Sequence, residues 1–98
     1  MSKFGDIIDV EVPVLLEFFN DWDDKAPSMH AALRDVAATL GDKAKVIKID
    51  VEKNTELAEA LRIKTLPTLM VYKGGEMKWR QSGALDADVL IDVLQQYV

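Results

Sequence analysis

The chain contains no cysteine among its 98 residues. That absence excludes disulfides, thiolate nucleophiles and thiolate metal sites together. It also leaves the chain indifferent to the redox state of its compartment. Histidine occurs once, at His30, without a carboxylate at clear ligand spacing, so no metal site is expected and His30 is expected to lie solvent-facing or half-buried on a helix. No Ser/His/Asp arrangement has spacing support, and no glycine loop is built to cradle a phosphate. No apolar run is long enough to span a bilayer, and the start Met1-Ser2-Lys3-Phe4-Gly5-Asp6 lacks the pattern of a signal peptide. A cytoplasmic location is the resulting expectation. Positive charge is scarce: 12 Lys and Arg face 17 Asp and Glu, for a net charge of −5. Such a surface repels nucleic acid and anionic lipid and favours basic partners or cations.

What is present is the make-up of a globular chain, with 49% hydrophobic and 30% charged residues. The length suits one domain over residues 1–98. Phe4, Ile7 and Ile8 have helical spacing and predict a short helix near residues 3–9. Residues 14–19 form a compact branched and aromatic run, which predicts a central parallel strand covered on both faces. A polar loop over 20–25 ends in Asp residues suited to capping a helix, and Pro27 fits a first helical turn. Met29, Leu33, Val36, Ala37 and Leu40 then recur on one helical face until Gly41.

A second strand is predicted over 46–51, a short helix around Leu57, Ala58 and Leu61, and a third strand over 68–73. Gly74-Gly75 signals a tight turn into a hairpin strand over 76–81. A last helix, capped by Asp86, carries Val89, Leu90, Val93, Leu94 and Tyr97 on one side. The order α-β-α-β-α-β-β-α predicts an α/β sandwich with a mixed sheet of four strands.

Several local motifs agree with a known family. Leu16-Glu17-Phe18-Phe19-Asn20-Asp21-Trp22 resembles the strand and loop before the active site of thioredoxins. Leu66-Pro67-Thr68-Leu69 resembles the family's cis-proline loop, Lys73-Gly74-Gly75-Glu76 its hairpin turn, and Ser82-Gly83-Ala84-Leu85 the loop before its last helix. The resemblance runs from about residue 13 to the end. It implies a thioredoxin-like three-layer α/β/α sandwich with a cis peptide at Leu66-Pro67. Catalysing members carry Cys-Gly-Pro-Cys after the Trp, whereas this chain has Asp23-Asp24-Lys25-Ala26. The family's extra first strand is expected to be missing or vestigial, because the N-terminal part is short.

The chemistry of the family needs a thiolate stabilised by a helix N-terminus and a second thiol to resolve the mixed disulfide. With both sulfurs absent, the expectation is a chain that is redox-inactive and not an enzyme, with no cofactor. Asp23 is expected either as a helix N-cap or as an acidic contact for a partner. Glu17 occupies the family's buried-acid position. It is expected either at the sheet's rim, reaching water or a lysine, or buried with a raised pKa. Asp21, Asp23 and Asp24 form a small acidic cluster without a calcium-loop pattern.

Binding can outlast chemistry. The resemblance brings Trp22, Leu66, Pro67, Ser82, Gly83 and Ala84 together as an apolar groove for an extended peptide. The same turns could also be there for the fold alone. The expected function is therefore a peptide- or protein-binding module, monomeric or weakly dimeric, with a basic or apolar partner segment. The alternative is a relict or engineered cysteine-free form of a thioredoxin whose family function is protein-disulfide reduction.

Overall fold

The structure, a computed structural model, describes residues 3–98. The sequence reading of Met1 and Ser2 lies outside the described residues. Helix α1 spans Lys3–Ile8 and leads into strand β1, Val14–Phe19. Helix α2 covers Ala26–Leu40 and closes at Gly41, whose φ of 53° suits a residue without Cβ. A 3-10 turn over Gly41–Lys43 follows. Then come β2 (Lys45–Asp50), α3 (Thr55–Ala60), β3 (Thr68–Lys73), β4 (Glu76–Ser82) and α4 (Ala87–Gln95). The sheet order is β2-β1-β3-β4. Strand β1 runs parallel to β2 and antiparallel to β3, so it is central but not parallel on both sides. Among the described residues no strand precedes β1, so β2 forms an edge of the sheet.

Side-chain alternation along the strands builds two cores. Leu15 of β1 and Leu69 and Val71 of β3 face α2 and α4, where Met29, Leu33, Val36, Leu90 and Leu94 meet them. Val14, Leu16, Phe18, Met70 and Tyr72 face the opposite side, packed by α1 and α3 through Ile8, Leu57 and Leu61. Each of Leu15, Leu16 and Phe18 is fully buried, and burial of such a side chain stabilises by about 1.5–3 kcal/mol. The result is helix pairs on both faces of a mixed four-stranded sheet.

Two expectations about side chains need correction. Ala37 and Val89 do not join the core: Ala37 is exposed and Val89 is 43% exposed. Each lies at the margin of its helix's apolar stripe, past the line of contact with the sheet. Tyr97 lies beyond the end of α4 yet packs against the α2–α4 core as expected, and Lys73 Nζ donates to its carbonyl at 2.7 Å.

Candidate functional site

The site forms where the loops leave one end of β1 and β3. Because Phe18 pairs with Thr68, the loop after β1 and the loop before β3 emerge side by side. The first carries Trp22, Asp23, Asp24 and Lys25. It folds as two consecutive turns: Asp23 N–H donates to the Asn20 carbonyl at 3.3 Å, and Ala26 N–H to the Asp23 carbonyl at 3.1 Å. Asp23 is not the N-cap of α2. Lys25 holds that position with helical backbone angles and no side-chain cap. The Asp23 carboxylate instead accepts from Lys25 N–H at 3.0 Å. A carboxylate bonding two residues ahead makes an Asx-turn, the local competitor of a cap. Asp86 stands at the N-cap of α4, but it too makes no side-chain cap hydrogen bond.

The loop before β3 contains the Leu66-Pro67 peptide, which is cis. Gly83 N–H donates to the Pro67 carbonyl at 2.8 Å, joining this loop to the one after β4. The hydroxyls of Thr68 and Ser82 meet at 3.4 Å beneath it. The φ of 99° at Gly83 is left-handed, so glycine suits this crossing point. Arg80 braces the approach from below: Nη1 donates to the Leu61 carbonyl at 2.6 Å and Nη2 to that of Arg62 at 3.1 Å. Sequence reasoning missed that brace, because nothing in the β4 pattern marks one arginine as reaching across to the end of α3.

The six predicted groove residues do not line one cavity. Leu66 borders a pocket of about 320 Å³ against α3, with Val51, Ala58 and Ile63. Ala84 borders another of about 340 Å³ against α2, with Met29 and Ala32. Trp22 belongs to neither and stands 83% exposed. The structure thus joins Leu66-Pro67 to Ser82-Gly83 and leaves Trp22 as a projecting wall at the same end.

Glu17 lies under this loop on the α2 side. It is not at the rim: its exposure is 0%. His30 of α2 approaches it, with Nε2 3.2 Å from Oε1. The approach is a contact without hydrogen-bond alignment, and among the described residues neither carboxylate oxygen nor Nε2 has a hydrogen-bond partner. Burial pushes the Glu17 pKa up to about 7; the Lys48 charge opposes this and Asp23 adds to it. Burial lowers that of His30, with Lys48 and Arg34 acting the same way and Asp21 against them. Both groups are therefore driven towards their neutral forms. His30 also meets the Phe19 ring edge-on at 4.7 Å. The Glu17–His30 contact was not legible in the sequence, since it depends on where α2 settles over the sheet.

The fold and site define an α/β/α sandwich on a mixed four-stranded sheet, with a cysteine-free Asp-Asp-Lys-Ala turn leading into α2. Residues 1–96 match the thioredoxin family model, and the chain belongs to the thioredoxin family. It is 38% identical over 95 residues to thioredoxin Y, chloroplastic, of Oryza sativa subsp. japonica, covering 96% of this chain and 56% of that protein. It is 29% identical to a thioredoxin of Synechocystis sp., covering 95% of this chain and 87% of that protein. A mutant thioredoxin from Halobacterium salinarum NRC-1 superposes with a TM-score of 0.88 at 29% identity, over 99% of this chain and 84% of that one. The chain spans just over half the length of the chloroplastic relatives it matches.

These relatives correct one expectation. The chain was expected to stand apart from enzymes, yet the proteins it resembles are named thioredoxins, which are oxidoreductases. The absence of cysteine at every one of the 98 positions stands beside that assignment.

Proposed function

We propose that this thioredoxin-family domain, redox-inactive for want of thiols, binds an extended protein segment at the end of the sheet where Trp22, Leu66-Pro67 and Ser82-Gly83-Ala84 emerge. The observation that carries the reading is Trp22, a large aromatic side chain left 83% exposed beside that loop pair. Exposed aromatics of this size add little to a fold and are the typical anchors of interfaces. The backbone of Leu66 enters no hydrogen bond among the described residues, so it is available for strand-like pairing. Asp23 and Asp24 beside Trp22 favour a basic or apolar segment over an acidic one.

The test is a pull-down from the source organism's lysate with the protein and its Trp22→Ala variant as parallel baits. A partner held by the first and lost by the second supports the reading. A partner held equally by both places binding elsewhere. A blank result for both favours the relict or engineered cysteine-free form.

A further inference from the structure

The two edges of the sheet are not alike. Strand β4 alternates the charged residues Glu76, Lys78 and Arg80 with Met77, Trp79 and Gln81, and carries an irregularity opposite Val71/Tyr72; the charges and the irregularity discourage further pairing. Strand β2 also carries charge, at Lys45, Lys48 and Asp50, but has no such irregularity. It pairs regularly with β1 over its whole length. Lys45 N–H donates to the Pro13 carbonyl and Val51 N–H to that of Phe19, so the odd-numbered residues of β2 turn their backbone groups inward. By alternation, the N–H and C=O groups of Val46 and Lys48 and the N–H of Asp50 point outward. Among the described residues no strand lies on that side of β2, and no turn or loop backbone bond reaches these groups.

The flank of this edge is shaped and charged. A groove of about 170 Å³ runs between α2 and β2, with an apolar floor of Leu33, Ala37 and Val46 and a rim of His30, Arg34 and Lys48. Arg34 and Lys48 are exposed. In a molecule of net charge −5, this groove is bordered by basic groups. On the other face of the edge, Ile47 is only half-buried.

We infer that the outer edge of β2 takes an extended acidic segment of a partner protein as an added strand. Val46, Lys48 and Asp50 share the α2 face, because Lys48 pairs with Glu17 and Glu17 faces α2. Acidic side chains of the incoming strand on that face meet Lys48 and Arg34, while their methylene stems cover the groove floor. Apolar side chains on the opposite face complete the cover of Ile47. A second copy of the chain fits less well: antiparallel pairing of β2 with itself about Lys48 sets like charges directly opposite. This surface is separate from the Trp22 end, and it calls for the opposite charge in its ligand.

The test uses a blocked synthetic peptide, acetyl-Thr-Val-Glu-Val-Glu-Val-Thr-amide, titrated into isotope-labelled protein and followed by amide NMR and hydrogen exchange. The expected result is saturable shifts and slowed exchange at Val46, Lys48 and Asp50. Binding should weaken about tenfold in Lys48→Glu and vanish when both Glu are replaced by Lys. Val46→Pro removes an outward donor without touching the bonds to β1, since proline is accepted on an edge facing solvent. It should melt like the parent and bind nothing; if it fails to fold, Lys48→Glu carries the test. The inference is overturned if shifts centre on Trp22 and Leu66, if the lysine peptide binds as well, or if folded Val46→Pro binds normally. It is also overturned if there is no saturation at millimolar peptide, or if β2 amides are already protected in a dimer without peptide.

Discussion

Burial moves the pKa values of Glu17 and His30 apart from their ordinary order, and the two shifts act on stability with opposite slopes. Glu17 titrates near 7 when folded against an ordinary 4.5. Between those values the unfolded chain gives up a proton that the folded chain keeps. Its contribution is therefore full below pH 4.5 and lost as pH rises to about 7. His30, lowered from 6.5, contributes above that pH and loses its contribution as pH falls through the folded value. Glu17→Gln removes only the first slope. Relative to the parent, its stability should be near equal below pH 4.5 and higher by about 3 kcal/mol above pH 7. Urea unfolding at several pH values measures this, and a gap that does not change with pH refutes it. The burial of Glu17 could be read from its place in an unbroken apolar run, but its histidine neighbour could not. Trp22→Ala makes the contrast: with its side chain 83% exposed, it should change stability by no more than about 0.5 kcal/mol. A larger loss by the same urea measurement would mean that the ring supports the fold.

At the scale of elements, the strands and the long helices were legible because their apolar period is strong, as in Met29, Leu33, Val36 and Leu40 of α2. Helix starts were less so, because an Asp before a helix can cap it or form a turn of its own, and at Asp23 the turn wins. The glycine pair at the β3–β4 hairpin was readable from chemistry alone. Gly74 and Gly75 adopt φ of 61° and 83°. The turn they make is also stitched to the end of α1, through Gly74 N–H to Val10 at 2.8 Å and Gly75 N–H to Ile8 at 3.0 Å. A Cβ at Gly75 would meet nothing closer than Asp9 Oδ1 at 3.8 Å, so Gly75→Ala isolates the backbone cost. It should destabilise by about 1–2 kcal/mol in chemical denaturation, and an unchanged midpoint would show that the turn relaxes. The second turn of the loop after β1 sets a distance between its ends. Ala26 N–H bonds to the Asp23 carbonyl, which closes a four-residue turn whose ends lie within about 7 Å. Disulfides span Cα separations of about 4.4–6.8 Å. The double variant Asp23→Cys, Ala26→Cys should therefore oxidise to an intramolecular disulfide, seen as loss of two free thiols without dimer formation. Persistent free thiols would mean that the turn is held too wide.

For the molecule as a whole, the question is whether the two cores unfold together. Each lies on its own face of the sheet, one under α2 and α4 and the other under α1 and α3. They share no helix, yet they are built from alternate residues of the same two strands. Leu15 serves one core and Leu16 the other; Val71 serves one and Tyr72 the other. Stripping the helices from one face would expose half of every buried side chain pair on β1 and β3 and leave an open sheet whose remaining face cannot hold it alone. Strong coupling through shared strands predicts a single transition, as in most domains of this size. The two tryptophans allow a direct check: Trp22 is exposed, whereas Trp79 packs against the α2–α4 core. In a Trp22→Phe, Tyr97→Phe background, fluorescence of Trp79 reports that core, and the tyrosine circular dichroism signal reports Tyr72 in the other. The two signals should change at one urea midpoint and with one slope. Separated midpoints would show that the faces unfold independently. In that case β1 and β3 do not transmit packing across the sheet, and the pH response of Glu17 would belong to the α2–α4 half alone.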